Sequence, residues 1–461
     1  MKAFIARIIE PKKQIPLSRQ VFSNHSLKVM IVPLMIEQLL QMVVGMVDTM
    51  MVSYAGEATV SGVSLDNAIY TVFIYLFVAL ASGGTVVVSH YIGAGEKENA
   101  SRSASQVFLI AGVFSVGCML LMMLFGEQLL LFLYRETEPE VLTACRVYLS
   151  IVCLSFPANA IYNAGAALYR SMGLTGTTMK ISLMMNLLNV MGNAVGIFIL
   201  RAGAAGAAWP TVLSWFLAAA VMTRLCFDRK NVAYIRPKWI FRPCLKKIKI
   251  ILRIAIPNGI ESGLFQAAKV ALSAMVATFG TAQIAAYGIG QSLFTLSASM
   301  LVANGPVFMT VVGNCMGAND SEAADYYIEK LLRLTRLIGG IWNGALIVVL
   351  PFIMLFYDIS DETKRLVLII CLIHNVFSAA IQPYFNPLPA GLRAAGDVRY
   401  TMVTAIVSSV LGRMFFSWLL GVVFGWGVIG VTLAMVIDWG GKGLLTWIRY
   451  RQGKWKTIKV V

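Results

Sequence analysis

The stretch PLMIEQLLQMVVGMVDTMMVSYAG, residues 33–56, decides the fold. It is long and apolar enough to cross a bilayer's hydrocarbon as a helix, which takes about 20 residues. Yet it carries two carboxylates, Glu37 and Asp48. A charge held in hydrocarbon costs at least ~2.5–3.5 kcal/mol, so such acids face a cavity or a partner. The stretch returns 224 positions later as PNGIESGLFQAAKVALSAMVATFG, residues 257–280. Pro33 maps onto Pro257, Ile36 onto Ile260, Glu37 onto Glu261 and Gly56 onto Gly280. Asp48 maps onto Leu272, so this acid belongs to one half only.

Composition agrees with a membrane chain. Of 461 residues, 58% are hydrophobic and 13% charged, too apolar for an ordinary soluble domain. The apolar runs are of helix length, not the ~10-residue alternation of an outer-membrane barrel strand. The expectation is an all-α polytopic membrane protein with 12 transmembrane helices. The first span reads as an uncleaved anchor, because residues 1–27 are basic and lack an apolar signal core.

The net charge of +16 would suggest nucleic acid in a soluble protein, but its placement assigns it to topology. With twelve spans, 30 of the 38 Lys and Arg fall on one side, beginning with the N-terminal tail. Five fall on the other (Arg135, Arg146, Arg201, Lys364, Arg365), and Lys269, Arg413 and Lys442 lie within spans. Excess Lys and Arg stay cytoplasmic, which places both termini inside. Contact with anionic lipid follows, and no nucleic-acid partner is expected. The seven cysteines form no CxxC pair and read as small buried hydrophobes.

The chain divides into a tail (1–27), a first lobe (28–226), a basic linker (227–253), a second lobe (254–448) and a C-terminal tail (449–461). In the first lobe the spans run at about 27–54, 64–92, 104–125, 141–168, 179–200 and 207–226. A polar cytoplasmic tail is expected from Gly93 to Gln106, and an acidic outer loop at Glu136, Glu138 and Glu140. The second half repeats the plan. Gly317-Ala-Asn-Asp matches Gly93-Ala-Gly-Glu, Leu392-Arg-Ala-Ala-Gly matches Tyr169-Arg-Ser-Met-Gly, and Gly430–Trp439 matches Gly206–Trp215. Landmarks held in register this long mark a duplication. An even number of spans per copy gives the copies one orientation, so two six-helix lobes are related by a pseudo-twofold along the membrane normal. Two such bundles facing a cleft have the layout of a transporter.

The chain resembles the multidrug and toxic compound extrusion (MATE) family over almost its whole length. The resemblance rests on VDTMMVSYAG (47–56), YRSMG (169–173), NLLNVMGN (186–193), IPNGIES (256–262), LRAAGD (392–397) and MVIDW (435–439), in that order and spacing. It implies export of organic cations and other amphipathic compounds, driven by inward H⁺ or Na⁺ flow, with no cofactor beyond that coupling ion. A bacterial plasma-membrane protein, monomeric, is the corresponding expectation.

Asp48 leads the candidate residues. An unpaired Asp on a membrane helix either protonates or binds a cation, because desolvation disfavours the bare anion; the bland alternative is an acid at the outer interface. Asn186, Asn189 and Asn193 stand at i, i+3 and i+7, so span 5 presents three amides on one face. That face also suits plain interhelical hydrogen bonding. Thr211 and Ser214 add hydroxyls on span 6. The resemblance implies a cation-coupling site from Asp48, Asn189, Asn193 and Thr211, the same set being a candidate Na⁺ site. Some members carry a second Asp where Asn193 stands; here Asp48 is the lone acid.

In the second lobe, Glu261 and Gln382 occupy the candidate coupling positions that the resemblance implies, although Glu261 lies closer to Pro257 than in those relatives. Glu37, the repeat mate of Glu261, leaves open that both acids are structural. Glu37, Asn186, Gln291 and His374 are candidates for the substrate cavity, a lone membrane His being more often a packing residue. Asp438 with Arg413 and Lys442 reads as a charge-paired structural set. The abundant Met and aromatic residues suit adaptable binding of organic cations, although most at helical spacing are core or lipid-facing. No GxxxxGK[ST] run, HExxH or nucleophile elbow occurs, which disfavours an ATP pump or an enzyme. The rival within the same superfamily is a lipid-linked oligosaccharide flippase; a channel or sensor without counterflow is the rival from another class.

Overall fold

The computed structural model describes residues 9–11, 14–134, 137–355, 357 and 359–460. Arg135 and Glu136, assigned above to the outer side, lie outside these, as do Lys2, Arg7, Lys12 and Lys13 of the basic tail. Among the described residues the chain is helical without strands, and twelve helices are long and apolar enough to span a membrane. They are α1 (Asn24–Ser53), α2 (Glu57–Gly93), α3 (Lys97–Leu133), α4 (Pro139–Ser171), α5 (Thr175–Ile199), α6 (Gly203–Cys226), α7 (Leu245–Phe279), α8 (Thr281–Gly317), α9 (Ser321–Met354), α10 (Asp361–Ala394), α11 (Val398–Val423) and α12 (Gly427–Arg451).

These helices form two compact units. One comprises Lys28–Gly259; the other combines the described residues before Lys28 with those from Ile260 onward. Both use the same packing plan. In the first unit α2 runs along α3 and α4, α4 against α6, and α5 against α6. In the second, α8 runs against α10, α10 against α12, and α11 against α12. Lipid tails are as apolar as leucine, so close contact between small residues carries such packing. A Cβ on Gly206 would lie 2.6 Å from the Gly196 carbonyl oxygen, and one on Gly430 would lie 2.6 Å from Leu420 main chain. In each unit a glycine on the last span thus crosses directly over a π-helical turn that ends the span before it, Val195–Ile199 or Trp418–Val423.

The landmark turns of the repeat also have a backbone cause. Gly173 and its mate Gly396 take φ of 78° and 98°, and Gly95 and its mate Asn319 take 75° and 56°. Only glycine, and among other residues mainly asparagine, enters this left-handed region at low cost.

The polar stretch up to Gln106 is not a loop. It is the first three turns of α3, and the linker is what makes it a helix face. Ser101 and Ser105 accept from the Tyr234 and Arg236 amides at 3.1 and 3.3 Å. Buried Gln106 donates to the Trp239 carbonyl at 2.6 Å and accepts from the Cys244 amide at 2.8 Å. A polar sequence becomes a buried helix once another backbone supplies its partners. The N-terminal segment does the same in the other unit. Arg19 forks onto Asp320 at 2.8 and 2.5 Å and reaches Glu322 at 2.9 Å. The Phe22 main chain bonds the Tyr327 hydroxyl in both directions at 2.8 Å.

Candidate functional site

Asp48 lies in the last turns of α1, half-buried, where the first unit holds a cavity of about 280 Å³. Its polar wall is what the amide pattern of α5 suggests: Asn186, Asn189 and Asn193, with Thr211 and Ser214 from α6. Among the described residues, no basic side chain lines it. The Asn193 amide donates to Asp48 Oδ1 at 3.0 Å and to Asn189 Oδ1 at 3.2 Å, and the Asn189 amide donates to Thr211 Oγ1 at 3.0 Å. The four coupling candidates are therefore one hydrogen-bonded cluster.

Both ends of the Asn189 amide are satisfied in one orientation only. With the Asn189 amide turned over, its nitrogen donates to both Asp48 oxygens, at 3.2 and 3.1 Å, while its oxygen accepts from Thr211 at 3.0 Å. The turned setting surrounds Asp48 with donors and suits the anion. Asn193 Oδ1 is buried without a partner. An orphaned amide oxygen beside a carboxylate and a hydroxyl is a hard donor set, so these residues fit a proton or a small hard cation.

Four further lining residues, Asn67 and Tyr70 on α2, Tyr148 on α4 and Trp215 on α6, are not among the site candidates read from the sequence. The available signal was the face Val60, Val63, Ser64, Asn67 and Tyr70, at helical spacing on a span otherwise apolar.

The other candidates fall elsewhere. Glu37 is buried and accepts from the Arg170 guanidinium at 3.2 Å. Its mate Glu261 accepts from Arg393 at 3.0 Å and from Lys442 at 2.9 Å. The two motif arginines, Arg170 of YRSMG and Arg393 of LRAAG, thus have matching carboxylate partners. Lys442 belongs to this cluster and not to the Asp438 set: although it lies one turn from Asp438 on α12, its ammonium bonds Glu261. Asp438 is held by Arg413, at 2.6 and 3.0 Å, and by Ser408 at 2.9 Å. Gln382 is not bonded to Glu261; its amide donates to the Ala298 carbonyl at 3.2 Å and its oxygen accepts from Ser378. His374 is fully buried, 4.8 Å from the Phe294 ring and 5.6 Å from Trp439, a packing position. Gln291 contacts the Met435 sulfur at 3.5 Å.

Twelve candidate spans in two like-packed units, with a polar acid cluster inside one of them, have the layout of a polytopic membrane transporter. A family model described as MatE matches residues 33–195 and again 257–419, one copy in each half. The chain belongs to the MATE family. It is 26% identical to the probable multidrug resistance protein NorM of Thermotoga maritima, over 98% of this chain and 96% of that one. It is 25% identical to the uncharacterized transporter YisQ of Bacillus subtilis, over 92% and 93%. A solved outward-facing multidrug resistance MATE transporter shares the fold with a TM-score of 0.87, 18% identity and 97% of both chains. A superfamily transporter from Pyrococcus furiosus, whose binding pocket is described as reversed in polarity, superposes equally well, covering 95% and 98% at 18% identity.

Proposed function

We propose that this protein is a cation-coupled antiporter that exports organic cations and amphipathic drugs by alternating access, with H⁺ as the coupling ion. It works in a bacterial plasma membrane with both termini in the cytoplasm. The observation that carries the reading is Asp48 in a polar cavity whose lining holds amides and hydroxyls but no basic side chain. Without a fixed counter-charge, the acid's charge is balanced only by what it binds. Multidrug resistance relatives that align over nearly the whole chain support the substrate class.

Facing outward, Asp48 takes a proton; the Asn189, Asn193 and Thr211 network re-forms around the neutral acid and drug leaves. Facing inward, the proton leaves and a cationic amphipath binds. The test is export of a fluorescent organic cation from proteoliposomes under separate H⁺ and Na⁺ gradients. Export driven by the proton gradient, and abolished by Asp48→Asn in a protein that still inserts, is the expected result. Export on Na⁺ alone would reassign the coupling ion, and export on neither would favour the flippase.

A further inference from the structure

Asp66 lies on α2, one turn before Tyr70, and has no exposed surface. Neither of its carboxylate oxygens has a hydrogen-bond partner among the described residues. The Leu149 main chain comes near, outside bonding geometry. Its burial has a packing cause. One turn earlier, Gly62 lets α4 approach so closely that a Cβ there would lie 2.8 Å from the Ala144 Cβ. The groups that face the acid are Tyr70 on its own helix, Tyr134 at the end of α3, and Cys145 and Tyr148 on α4. The Tyr134 hydroxyl donates to the Leu65 carbonyl at 3.2 Å, the Cys145 thiol to the Gly62 carbonyl at 3.4 Å, and Tyr70 shares a hydrogen with Ser155 at 3.2 Å. None of these is basic.

Tyr148 and Tyr70 also line the cavity that holds Asp48. Tyr148 lines the cavity beside Asp48 and Thr211, and it also faces Asp66. It therefore stands between the two acids. A bare carboxylate buried without a counter-charge or hydrogen bond costs several kcal/mol, so a group in this position carries a proton.

We propose that Asp66 is a second proton-carrying carboxylate of this unit, exchanging its proton with the Asp48 cavity past the hydroxyls of Tyr148 and Tyr70. The inference rests on the reading of Asp48 as the coupling acid. Each transfer is a simple exchange: the Asp66 O–H bond breaks, the proton passes to cavity water, and the carboxylate left behind is balanced by the cation that binds in the cavity. Two titrating acids make exchange for a monovalent cation carry one net positive charge inward per cycle, where Asp48 alone makes it electroneutral.

The test counts protons released when ethidium binds the detergent-solubilised full chain in weak buffer, followed with a pH dye. The comparison covers the wild type, Asp48→Asn, Asp66→Asn and the double variant. Each single variant should release one proton fewer than the wild type, and the double variant none. Asp66→Asn releasing as many as the wild type overturns the proposal. If Asp48→Asn leaves the count unchanged while Asp66→Asn lowers it, the assignment of Asp48 fails and that of Asp66 stands. Should Asp66→Asn not fold, infrared difference spectra of Asp48→Asn, with and without ethidium, decide. A protonated-carboxyl band lost on binding supports Asp66, and its absence overturns it.

Discussion

Replacing Asn193 with Asp tests how the cluster balances charge. The Asn193 amide lies 3.0 Å from Asp48 Oδ1, so the substitution sets a second carboxylate oxygen at about that distance. Two unit charges so placed repel by about 5 kcal/mol at an effective dielectric of about 20. The wild-type amide donates a hydrogen bond here, so the substitution also removes an attraction. The variant must then hold a proton or a metal ion between the acids, and Na⁺ becomes a stabilising ligand. Melting of the purified protein in detergent, at alkaline pH, in NaCl against choline chloride at equal ionic strength, reads this directly. A ligand at 100 times its dissociation constant stabilises by about 2.7 kcal/mol. Asn193→Asp should melt higher in Na⁺ than in choline, and the wild type should show a smaller difference. Melting of the variant insensitive to both Na⁺ and pH would refute the reasoning, since the repulsion would then have been relieved by side-chain movement alone.

Other consequences follow from the buried contacts. Arg413→Leu strands the buried Asp438 carboxylate and should cost about 3–5 kcal/mol, while adding Asp438→Leu should restore most of it; thermal unfolding of both variants checks this. Gly206→Ala forces the α5–α6 crossing apart and should cost about 1–3 kcal/mol or prevent folding, read from melting and from yield. The Arg19 hydrogen bonds hold the Asp320 carboxyl below its ordinary value. Asp320 therefore stabilises docking of the N-terminal segment above the ordinary Asp range of about 4, and this contribution is lost as pH falls through the depressed value. Protection of the amides in residues 18–27, relative to their intrinsic exchange rates, should be high at neutral pH, fall below that range, and be low already at neutral pH in Arg19→Ala.

Much of the fold was legible because one physical constraint dominates it. Hydrocarbon demands uninterrupted helices, so apolar run length marks the spans, and the 224-residue register exposes the duplication. The repeat pairs Glu37 with Glu261 and, one residue short of that register, Arg170 with Arg393, yet nothing in it says that acid and arginine of each copy meet. The amide face of α5 could be read from i, i+3 and i+7 spacing, and it meets Asp48 as that spacing suggests.

Tertiary structure decided the rest. Asp66 looks like any acid near a helix end until the crossing at Gly62 shows it sealed and unpartnered, and Tyr148 faces Asp48 only because α4 packs beside α2. The serines and Gln106 that open α3 read as a polar loop until linker backbone groups complete their hydrogen bonds. Helix periodicity and span length are properties of the local chain, so sequence determines them. Burial, counter-charge and hydrogen-bond completion depend on which helices become neighbours, and those only the packed structure sets.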